Sequence, residues 1–479
     1  MNRTGAFRGV LVAATTALAV AGALAPATGA VAASPSAVGP GRVIVVDDDK
    51  VECPDADSTV LQAALDAADD GDRVRVCAGL YRESLTVDTS VTVQGEVGAV
   101  ASVDCLDPAS SDAELDTTRF AVVRPPAGPQ ADGALVRIAA DDVEVAGLVV
   151  EGRLDTVIEE PVPGATLYDA AVSVSDAYVG TRLRHNLFRL NTLGVELGAS
   201  DSRVDHNCFR DNRWALANQR YVLKRARIHD NTTTGTEFIT WEVGWSYRGT
   251  EDVLLDHNVS DETSFYVARV DNSKRARVVA NDIRATQQGI RVNPANEGVQ
   301  VVGNTVTGLG PGLGVAGVFV PVLGGRPATT GLVIADNEVF AMDANPGRGI
   351  ILMPGSQPTG AVITGNRLHD NATEGLALTA GNHASTISGN VVTGNLANGI
   401  RVAAGAGLNV LTDNVALDNN TEETGIGTGT GTDARDGGLL ADGVTPTSNQ
   451  WIRTTCEVDV PVGLICVPPA TGTDGSAGP

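Results

Sequence analysis

Short segments in which apolar and polar residues alternate recur through most of this chain. Ten of them share one form: an apolar residue, two further residues, an Asn, and then a short run that is apolar in most copies. These Asn residues follow one another at intervals of 21 to 33 residues, at Asn186, Asn207, Asn231, Asn258, Asn281, Asn304, Asn337, Asn366, Asn390 and Asn414. A period of two predicts β-strands, because successive side chains of a strand point to opposite faces.

A second kind of segment follows many of these Asn residues and begins with Gly. Its copies are GVEL at 194, GIRV at 289, GVFV at 317, GIIL at 349, GLAL at 375 and GIRV at 399. Each repeat therefore holds three short strands, which cannot bury their own apolar side chains unless the repeats stack. The pattern predicts an all-β parallel solenoid of roughly a dozen coils, spaced about 4.8 Å apart. Asn suits the turns because it tolerates the left-handed conformation, and stacked Asn side chains can hydrogen-bond between coils.

The Asn-marked coils and the G-I-x-V strands resemble the right-handed parallel β-helix repeats of the pectate-lyase-like superfamily. The resemblance covers roughly residues 42–420. It implies a right-handed parallel β-helix, the pectin-lyase-like fold. It says little about activity, because the repeated positions are architectural.

The segments before and after the repeated coils are predicted to cap the two ends of the solenoid. Leu61, Ala64, Leu65 and Ala68 have helical spacing, which predicts a short N-terminal capping helix within 59–70, with Ser58 or Thr59 as its N-cap. The predicted divisions are a signal peptide at 1–33, a capping strand and helix at 42–82, β-helix coils at 83–420, a loop-rich C-terminal cap at 421–467 and a disordered tail at 468–479.

The first residues predict export. Arg3 and Arg8 precede an apolar stretch, and Ala30-Val31-Ala32 follows as a cleavage site, which is the pattern of a secretory signal peptide. No later run is long enough to span a membrane. We therefore expect a secreted, extracellular protein with no membrane insertion, and we expect a monomer.

The composition narrows the range of partners. The chain has 58 acidic and 34 basic residues, and loss of Arg3 and Arg8 with the signal peptide would change the formal net charge from −24 to −26. Nucleic acid is excluded as a partner, because phosphate binding needs a basic excess. The 55 Gly and only 18 aromatic residues favour slim strands and tight turns.

Six Cys residues in an exported chain indicate disulfides, and the absence of C-x-x-C argues against zinc. Proximity in the sequence favours Cys53–Cys77 and Cys456–Cys466, one at each end. Cys105 and Cys208 are left open as paired or simply buried.

Half of the aromatic residues fall between 209 and 266, which indicates a carbohydrate-binding surface. Exposed rings on a sheet face would suit the apolar faces of sugars. The candidate substrate-binding residues are Trp214, Trp241, Trp245, Tyr247 and Tyr266. The alternative is that these rings fill an irregular core, because Thr233 and Ser260 stand in these coils where neighbouring coils have large core residues.

Charged residues join the aromatic segment. In the Gly-led strands the outward positions are predicted to be Glu196, Leu216, Arg291, Phe319, Ile351, Ala377 and Arg401. Aligning VARVDN with GIRVNP places Arg269 beside Arg291, and two adjacent guanidinium groups need an anion between them. Glu237, Glu242, Asp271 or a carboxylated sugar would supply it. The alternative is ordinary surface ion pairing, which contributes little to stability.

These residue types define the candidate activity. A polysaccharide lyase needs a base and a cation beside a uronate, and a glycoside hydrolase needs paired carboxylates. The candidate catalytic residues are therefore Glu242, Asp271, Arg269 and Arg291. The chain lacks the catalytic motifs of the uronan epimerases, polygalacturonases and main pectate lyases. The sequence leaves open whether it is an enzyme that recognises and cleaves an acidic extracellular polysaccharide, or a non-catalytic exported scaffold, adhesin-like or accessory to metalloenzyme maturation.

Metal binding is the last candidate chemistry. His185, His206 and His257 directly precede turn Asn residues, and Asp230 takes that place in the intervening coil, so the four form a candidate metal column. A polar turn stack is the alternative that the pattern favours. The run Asp47-Asp48-Asp49 lacks the spacing of a Ca²⁺ loop and indicates solvated charge. No cofactor is therefore assigned, and Ca²⁺ is left open.

Overall fold

The computed structural model describes residues 41–107, 116–126, 133–152, 170–244, 248–262, 265–285, 287–310, 315–321, 323–344, 346–354, 358, 360–419, 432–437, 449–460 and 465–469. The predicted signal peptide and most of the predicted tail lie outside these residues, as do Trp245 and Tyr247. Within them, no helix is long and apolar enough to cross a membrane.

Three long sheets run side by side, and each coil contributes one short strand to each sheet. In every sheet a strand pairs in parallel with the corresponding strand of the next coil. The first sheet has 15 strands. They are Val43–Val46, Arg73–Val76, Thr92–Gln94, Glu144–Ala146, Arg182–Arg184, Arg203–Asp205, Arg227–His229, Leu254–Asp256, Arg277–Val279, Gln300–Val302, Val333–Ala335, Val362–Thr364, Thr386–Ser388, Val410–Thr412 and Gln450–Ile452.

The second sheet contains the Gly-led strands and has 14 members. They are Leu85–Val87, Val136–Ile138, Ala170–Val174, Leu193–Leu197, Trp214–Ala217, Ile239–Val243, Tyr266–Val270, Gln288–Val292, Ala316–Val320, Arg348–Leu352, Leu376–Leu378, Ile400–Val402, Ala434–Asp436 and Asp459–Val460.

The third sheet begins directly after the Asn turns and has 15 strands. They are Gly79–Arg82, Ala121–Arg124, Leu148–Glu151, Leu187–Arg189, Cys208–Arg210, Thr232–Thr234, Val259–Glu262, Asp282–Ala285, Thr305–Gly308, Glu338–Phe340, Arg367–His369, Val391–Thr393, Val415–Leu417, Thr454–Cys456 and Cys466–Val467. A small fourth sheet joins Leu223–Lys224, Thr250–Glu251 and Ser273–Lys274. The parallel β-helix is therefore confirmed, with more coils than the dozen that the repeats indicate.

The ten turn Asn residues form one continuous, buried ladder. Each side-chain amide nitrogen donates to the amide oxygen of the next Asn, over distances of 2.9 to 3.1 Å. The coil-to-coil bonding predicted from the repeat is confirmed. The left-handed backbone, however, belongs to the residue before the Asn, as at His185 and Asp336, and not to the Asn itself. This explains why Gly, Asp, His and Ala alternate there.

The predicted capping helix is observed as Leu61–Asp66. Leu61, Ala64, Leu65 and Ala68 are all buried against the first coils. The predicted N-cap is wrong, because neither Ser58 nor Thr59 bonds the helix. The carboxylate of Glu83 instead accepts the amide protons of Leu61 and of the residue after it, at 2.9 and 2.8 Å.

Three disulfides link the described cysteines. The predicted pairs Cys53–Cys77 and Cys456–Cys466 are confirmed, and Cys105 pairs with Cys208. The third bond ties a second short helix, Val97–Ala101, and the chain after it to the outer face of the third sheet. Such bonds persist in oxidising compartments, so they indicate an exported protein.

Removing one member of the ladder should destabilise the coil stack. Asn258 donates to Ile228 O at 2.9 Å and to Asn281 at 3.0 Å, and its oxygen accepts from Asn231. Asn258→Ala leaves buried polar groups without partners, so we expect a loss of at least about 2 kcal/mol in unfolding free energy, read as a lower urea midpoint. Asp282→Ala, at an exposed position of the next coil, is the control and should change it by less than about 0.5 kcal/mol. Equal shifts for the two variants would contradict the ladder's role.

Candidate functional site

The outward face of the second sheet carries the candidate residues. Arg269 pairs in register with Arg291, as the alignment predicted. The prediction that Leu216 faces outward is wrong. Leu216 pairs with the core residue Val195, and Ala217 occupies the outward column beside Glu196. The segment WALA has apolar residues in both alternation frames, so its pattern does not define which face is buried.

Trp241 is a core residue and not a sugar-binding surface. Only 1% of it is exposed, and its ring packs edge-on against Phe209 at 5.4 Å. Its indole N–H donates to Ser260 Oγ at 3.1 Å. The small side chains Thr233 and Ser260 face inward between Phe209 and Ile283, and the indole fills the volume they leave. The alternative interpretation of the aromatic cluster is thus correct for Trp241.

The other described aromatic candidates differ in exposure. Trp214 is buried in an apolar cluster on the outer side of the sheet, with Arg213 stacked 4.9 Å from its ring. Tyr266 is half-buried, and the guanidinium of Arg291 lies 4.5 Å from its centroid. The exposed rings are Phe238 and Phe265, whose centroids are 5.3 Å apart. Each of these two Phe residues directly precedes a strand of the second sheet. This position could have identified them from the sequence, but neither was among the predicted sugar-binding residues.

The four candidate catalytic residues come together in one ion network. Arg269 bridges Glu242 and Asp271, each at 3.0 Å. Asn293 donates to Asp271 at 2.9 Å and accepts from Arg291 at 2.7 Å, so it separates the two arginines. Arg326, from the connection after Ala316–Val320, also pairs with Asp271. Asn293 and Arg326 were missed, because no repeat position marks either of them. Glu237, the remaining predicted anion, is exposed.

Burial decides what this network can do. Both carboxylates are fully buried, with 0% of Glu242 and of Asp271 exposed. Burial raises the pKa of Glu242 to about 7, although the charge of Arg269 opposes the shift. A carboxyl group that titrates near neutrality suits a general acid, but general acid catalysis requires contact with the substrate. In this structure the network joins neighbouring coils through buried ion pairs.

A concave pocket lies on the same face, at earlier coils. Its volume is about 340 Å³, and its lining includes Thr86, Arg137, Ser173, Tyr178, Arg220 and Tyr221. Thr86, Arg137 and Ser173 are in register on three adjacent strands. Arg220 makes two hydrogen bonds of 2.6 Å to the buried carboxylate of Glu196. None of these residues except Glu196 was a sequence candidate.

The predicted metal column does not converge. His206 and His257 each contact the Asp before them, at 2.9 Å, and Asp230 contacts His229. The ring centroids of His185 and His206 are 5.0 Å apart, and the rings are tilted by 34°. In the part of the chain that the structure describes, these four residues do not belong to any group of three ligand atoms close enough to share an ion. Left-handed turn backbones and nearby Asp partners account for the column.

The raised pKa of the buried Glu242 predicts how folding stability changes with pH. Its pKa is raised from 4.5 to about 7, so the folded state holds a proton that the unfolded state releases. Stability from this group is present below about pH 4.5 and is lost as pH rises through 7. Melting temperatures from pH 5 to 8 should therefore show wild type losing stability relative to Glu242→Gln, by at most about 1.4 kcal/mol per pH unit.

The opposite behaviour of a second buried acid provides the control. Burial alone would raise the pKa of Glu374, but Arg348 and Arg401 outweigh it and lower the pKa. Wild type should therefore lose stability relative to Glu374→Gln as the pH falls below about 4.5. A stability difference between wild type and Glu242→Gln that does not change with pH would contradict the raised pKa.

Known proteins resemble the chain mainly in fold. The family described as "Periplasmic copper-binding protein (NosD)" matches residues 256–435. DFA-IIIase from Arthrobacter chlorophenolicus A6 without its lid is 14% identical, with 86% of this chain and 99% of that chain covered and a TM-score of 0.51. No significant match occurs among curated proteins.

Two other solved structures are more distant. The Dettilon tailspike protein gp208 is 13% identical, with 86% of this chain and 68% of that chain covered and a TM-score of 0.37. The mannuronan C-5 epimerase AlgE4 A-module from Azotobacter vinelandii is 15% identical, with 75% and 90% covered and a TM-score of 0.33. The observed sheets and the fold-level similarity to DFA-IIIase lead to one conclusion: this chain is a right-handed parallel β-helix repeat protein of the pectin-lyase-like fold.

Proposed function

We propose that this protein binds an acidic extracellular polysaccharide on the outward face of the second sheet, in the pocket around Arg137. The observation that carries the proposal is an exposed guanidinium at the floor of a concave, hydroxyl-rich pocket. The proposal takes secretion of the protein as its setting, in agreement with the three disulfides.

The pocket has the side chains that sugar recognition uses. The hydroxyl groups of Ser84, Ser173 and Ser175 line it, and Tyr178 and Tyr221 add ring surface. Ring faces cover the apolar side of a sugar, while a few placed polar groups fix its orientation. The floor extends over three adjacent coils, which is about 10 Å at the spacing of paired strands. That length accommodates a short run of sugar units.

Electrostatics favour an acidic sugar. Arg220 is paired with Glu196, so its charge is locally compensated. Arg137 is exposed and has no ion pair with the residues that the structure describes. On a chain with a formal net charge of −24, an uncompensated guanidinium in a pocket is a local exception that attracts carboxylate or sulfate groups.

The geometry supports binding more than cleavage. Among the residues that the structure describes, no Asp or Glu lines the pocket. The carboxylates of Glu242 and Asp271 are buried and held by arginines. In the described part of the chain, neither the paired acids of a hydrolase nor the free base of a lyase therefore faces this pocket. DFA-IIIase shares the fold with this chain, but at 14% identity the similarity carries no activity across.

Exposed rings on the same sheet offer a second contact for a long chain. Phe238 and Phe265 are 37% and 43% exposed and lie just before strands of the second sheet. An extended polysaccharide that occupies the pocket and continues along the coils would meet them. Stacking of sugar C–H groups on such rings needs no specific hydrogen bonds, so these rings would add affinity and little selectivity.

Affinity electrophoresis tests the proposal directly. Gels containing polygalacturonate, alginate or chondroitin sulfate should retard the mature protein, and gels containing dextran or pullulan should not. Arg137→Ala should weaken binding to the retarding glycan at least about tenfold, because one charge-assisted contact is worth about 1.5–3 kcal/mol. Arg75→Ala removes the same charge from an exposed position of the first sheet and should bind as wild type does.

Two results would count against the proposal. One is retardation by none of the acidic glycans. The other is an equal loss of affinity in Arg137→Ala and Arg75→Ala, which would indicate that overall charge and not the pocket determines binding.

The second candidate function is an accessory role in metalloenzyme maturation, which the copper-binding description of the family matching residues 256–435 favours. Copper sites use imidazole or thioether ligands. The whole chain has three Met and six His, and the described residues of that range contain no group of three candidate His, Cys, Asp or Glu ligands. We therefore expect equilibrium dialysis against Cu²⁺, and against Cu⁺ under reductant, to retain less than one copper per chain. Stoichiometric retention would favour the second candidate.

A further inference from the structure

We infer that the first coil holds a Ca²⁺ site made by the carboxylates of Asp47, Asp49 and Glu52. These residues belong to the chain that leaves the first strand of the first sheet, Val43–Val46, and runs to Cys53. The inference does not depend on the proposed polysaccharide binding, because it concerns other residues and another ligand.

The three side chains converge although their sequence spacing does not match a known loop. One carboxylate oxygen of each lies within 4.8 Å of those of the other two. Oxygen ligands of Ca²⁺ lie at 2.3–2.6 Å from the ion, so two of them can be at most about 5 Å apart. The three oxygens thus fit around one ion. Elsewhere in the described chain no other group of three such ligands occurs.

Asp47 provides the second, independent observation. Its side chain is fully buried, and its Oδ2 accepts the amide proton of Cys53 at 2.6 Å. Its Oδ1 is also buried, yet it has no hydrogen-bond partner among the described residues. A buried charged oxygen without a partner is costly, and a bound cation removes that cost.

The local structure holds this loop in place without neutralising it. The disulfide Cys53–Cys77 anchors its end, and Asp49 Oδ1 accepts the amide proton of Val51 at 2.9 Å. Lys50 adopts a left-handed backbone and donates its ammonium group to the carbonyl of Ala56. Among the described residues, no Lys, Arg or His makes an ion pair with any of the three carboxylates.

A buried tyrosine, Tyr81, lies beside Val46, the residue that precedes Asp47. The Tyr81 hydroxyl donates to the carbonyl oxygens of Val46 and Cys77. Tyr81 therefore lies close enough to report on an ion in this loop.

The donor set selects the kind of ion. Carboxylate oxygens are hard ligands that favour Ca²⁺ or Mg²⁺, and no thiolate or imidazole is part of the group. Two of the three side chains are exposed, which leaves room for water to complete a coordination shell of six to eight oxygens. Mg²⁺ demands a tighter octahedron with oxygens at about 2.1 Å, so an irregular, open set favours Ca²⁺. Sites of this kind in extracellular modules bind with Kd values of about 10⁻⁴–10⁻³ M.

Terbium luminescence and calorimetry test the site on the mature chain after treatment with EGTA. Tb³⁺ should show emission sensitised by tyrosine excitation, and Ca²⁺ should displace it. Titration with Ca²⁺ should give one site in the range above, with Mg²⁺ at least tenfold weaker. Asp47→Asn keeps the shape of the side chain and its bond to Cys53, and it should weaken Ca²⁺ binding at least tenfold.

The controls separate the site from general acidity and from misfolding. Asp55→Asn removes one charge from an exposed position of the same segment and should bind Ca²⁺ within twofold of wild type. If Asp47→Asn does not fold, Glu52→Gln replaces it, because the Glu52 side chain is exposed and its loss should still weaken binding at least tenfold. The inference is overturned if wild type binds no Ca²⁺ up to 10 mM (about ten times the weakest Kd of such sites), if Mg²⁺ binds equally well, or if the site variants and Asp55→Asn behave alike.

Discussion

The structure depends on hydrogen bonding between one coil and the next. A strand of three to five residues has no stability alone, so its backbone groups are satisfied only by the coils above and below it. This bonding brings equivalent residues into columns about 4.8 Å apart. The buried Asn column stabilises the stack at this spacing, because a side-chain amide both donates and accepts. Each Asn can therefore hydrogen-bond to an identical residue in the coil on either side. Other residue types must adapt to the same spacing.

Where a column contains residues that do not stack well, neighbouring coils compensate. Trp241 is larger than its column neighbours, and the small side chains of Thr233 and Ser260 leave space for its ring. The hydroxyl of Ser260 also accepts a hydrogen bond from the indole N–H. Arg269 and Arg291 repel at this spacing, and Glu242, Asp271 and Asn293 are placed around them. Trp241, Glu242 and Asp271 are buried in these adaptations, whereas Arg269 and Arg291 stay partly exposed. The middle coils therefore combine buried packing and ion pairs with two exposed rings, Phe238 and Phe265.

Local periodicity was sufficient to predict the fold. The Asn ladder follows from a repeat of 21 to 33 residues, the capping helix from helical spacing, and two disulfides from Cys residues that are 24 and 10 positions apart. The register of WALA did not follow, because Trp214 and Leu216 offer one apolar frame and Ala215 and Ala217 another. The network around Asp271 and the N-cap of the helix depend on Arg326 and Glu83, which tertiary folding brings from other segments. The burial of Asp47 was equally invisible, since a run of acids normally indicates solvated charge.

One stretch of chain joins the acidic loop of Asp47 to the pocket around Arg137. Asp48, within the acidic loop, accepts the amide proton of Leu80 at 3.0 Å, and its carboxylate occupies the space where Gly79 lacks a side chain. The strand Gly79–Arg82 then leads directly to residues 84–86, which line the pocket. Cys77, just before this strand, is covalently joined to the same loop. A cation bound by the loop would therefore strengthen the anchor of the strand that leads to the pocket. Because a more rigid pocket loses less entropy when a sugar binds, bound Ca²⁺ would raise the proposed glycan affinity without any contact between the two ligands.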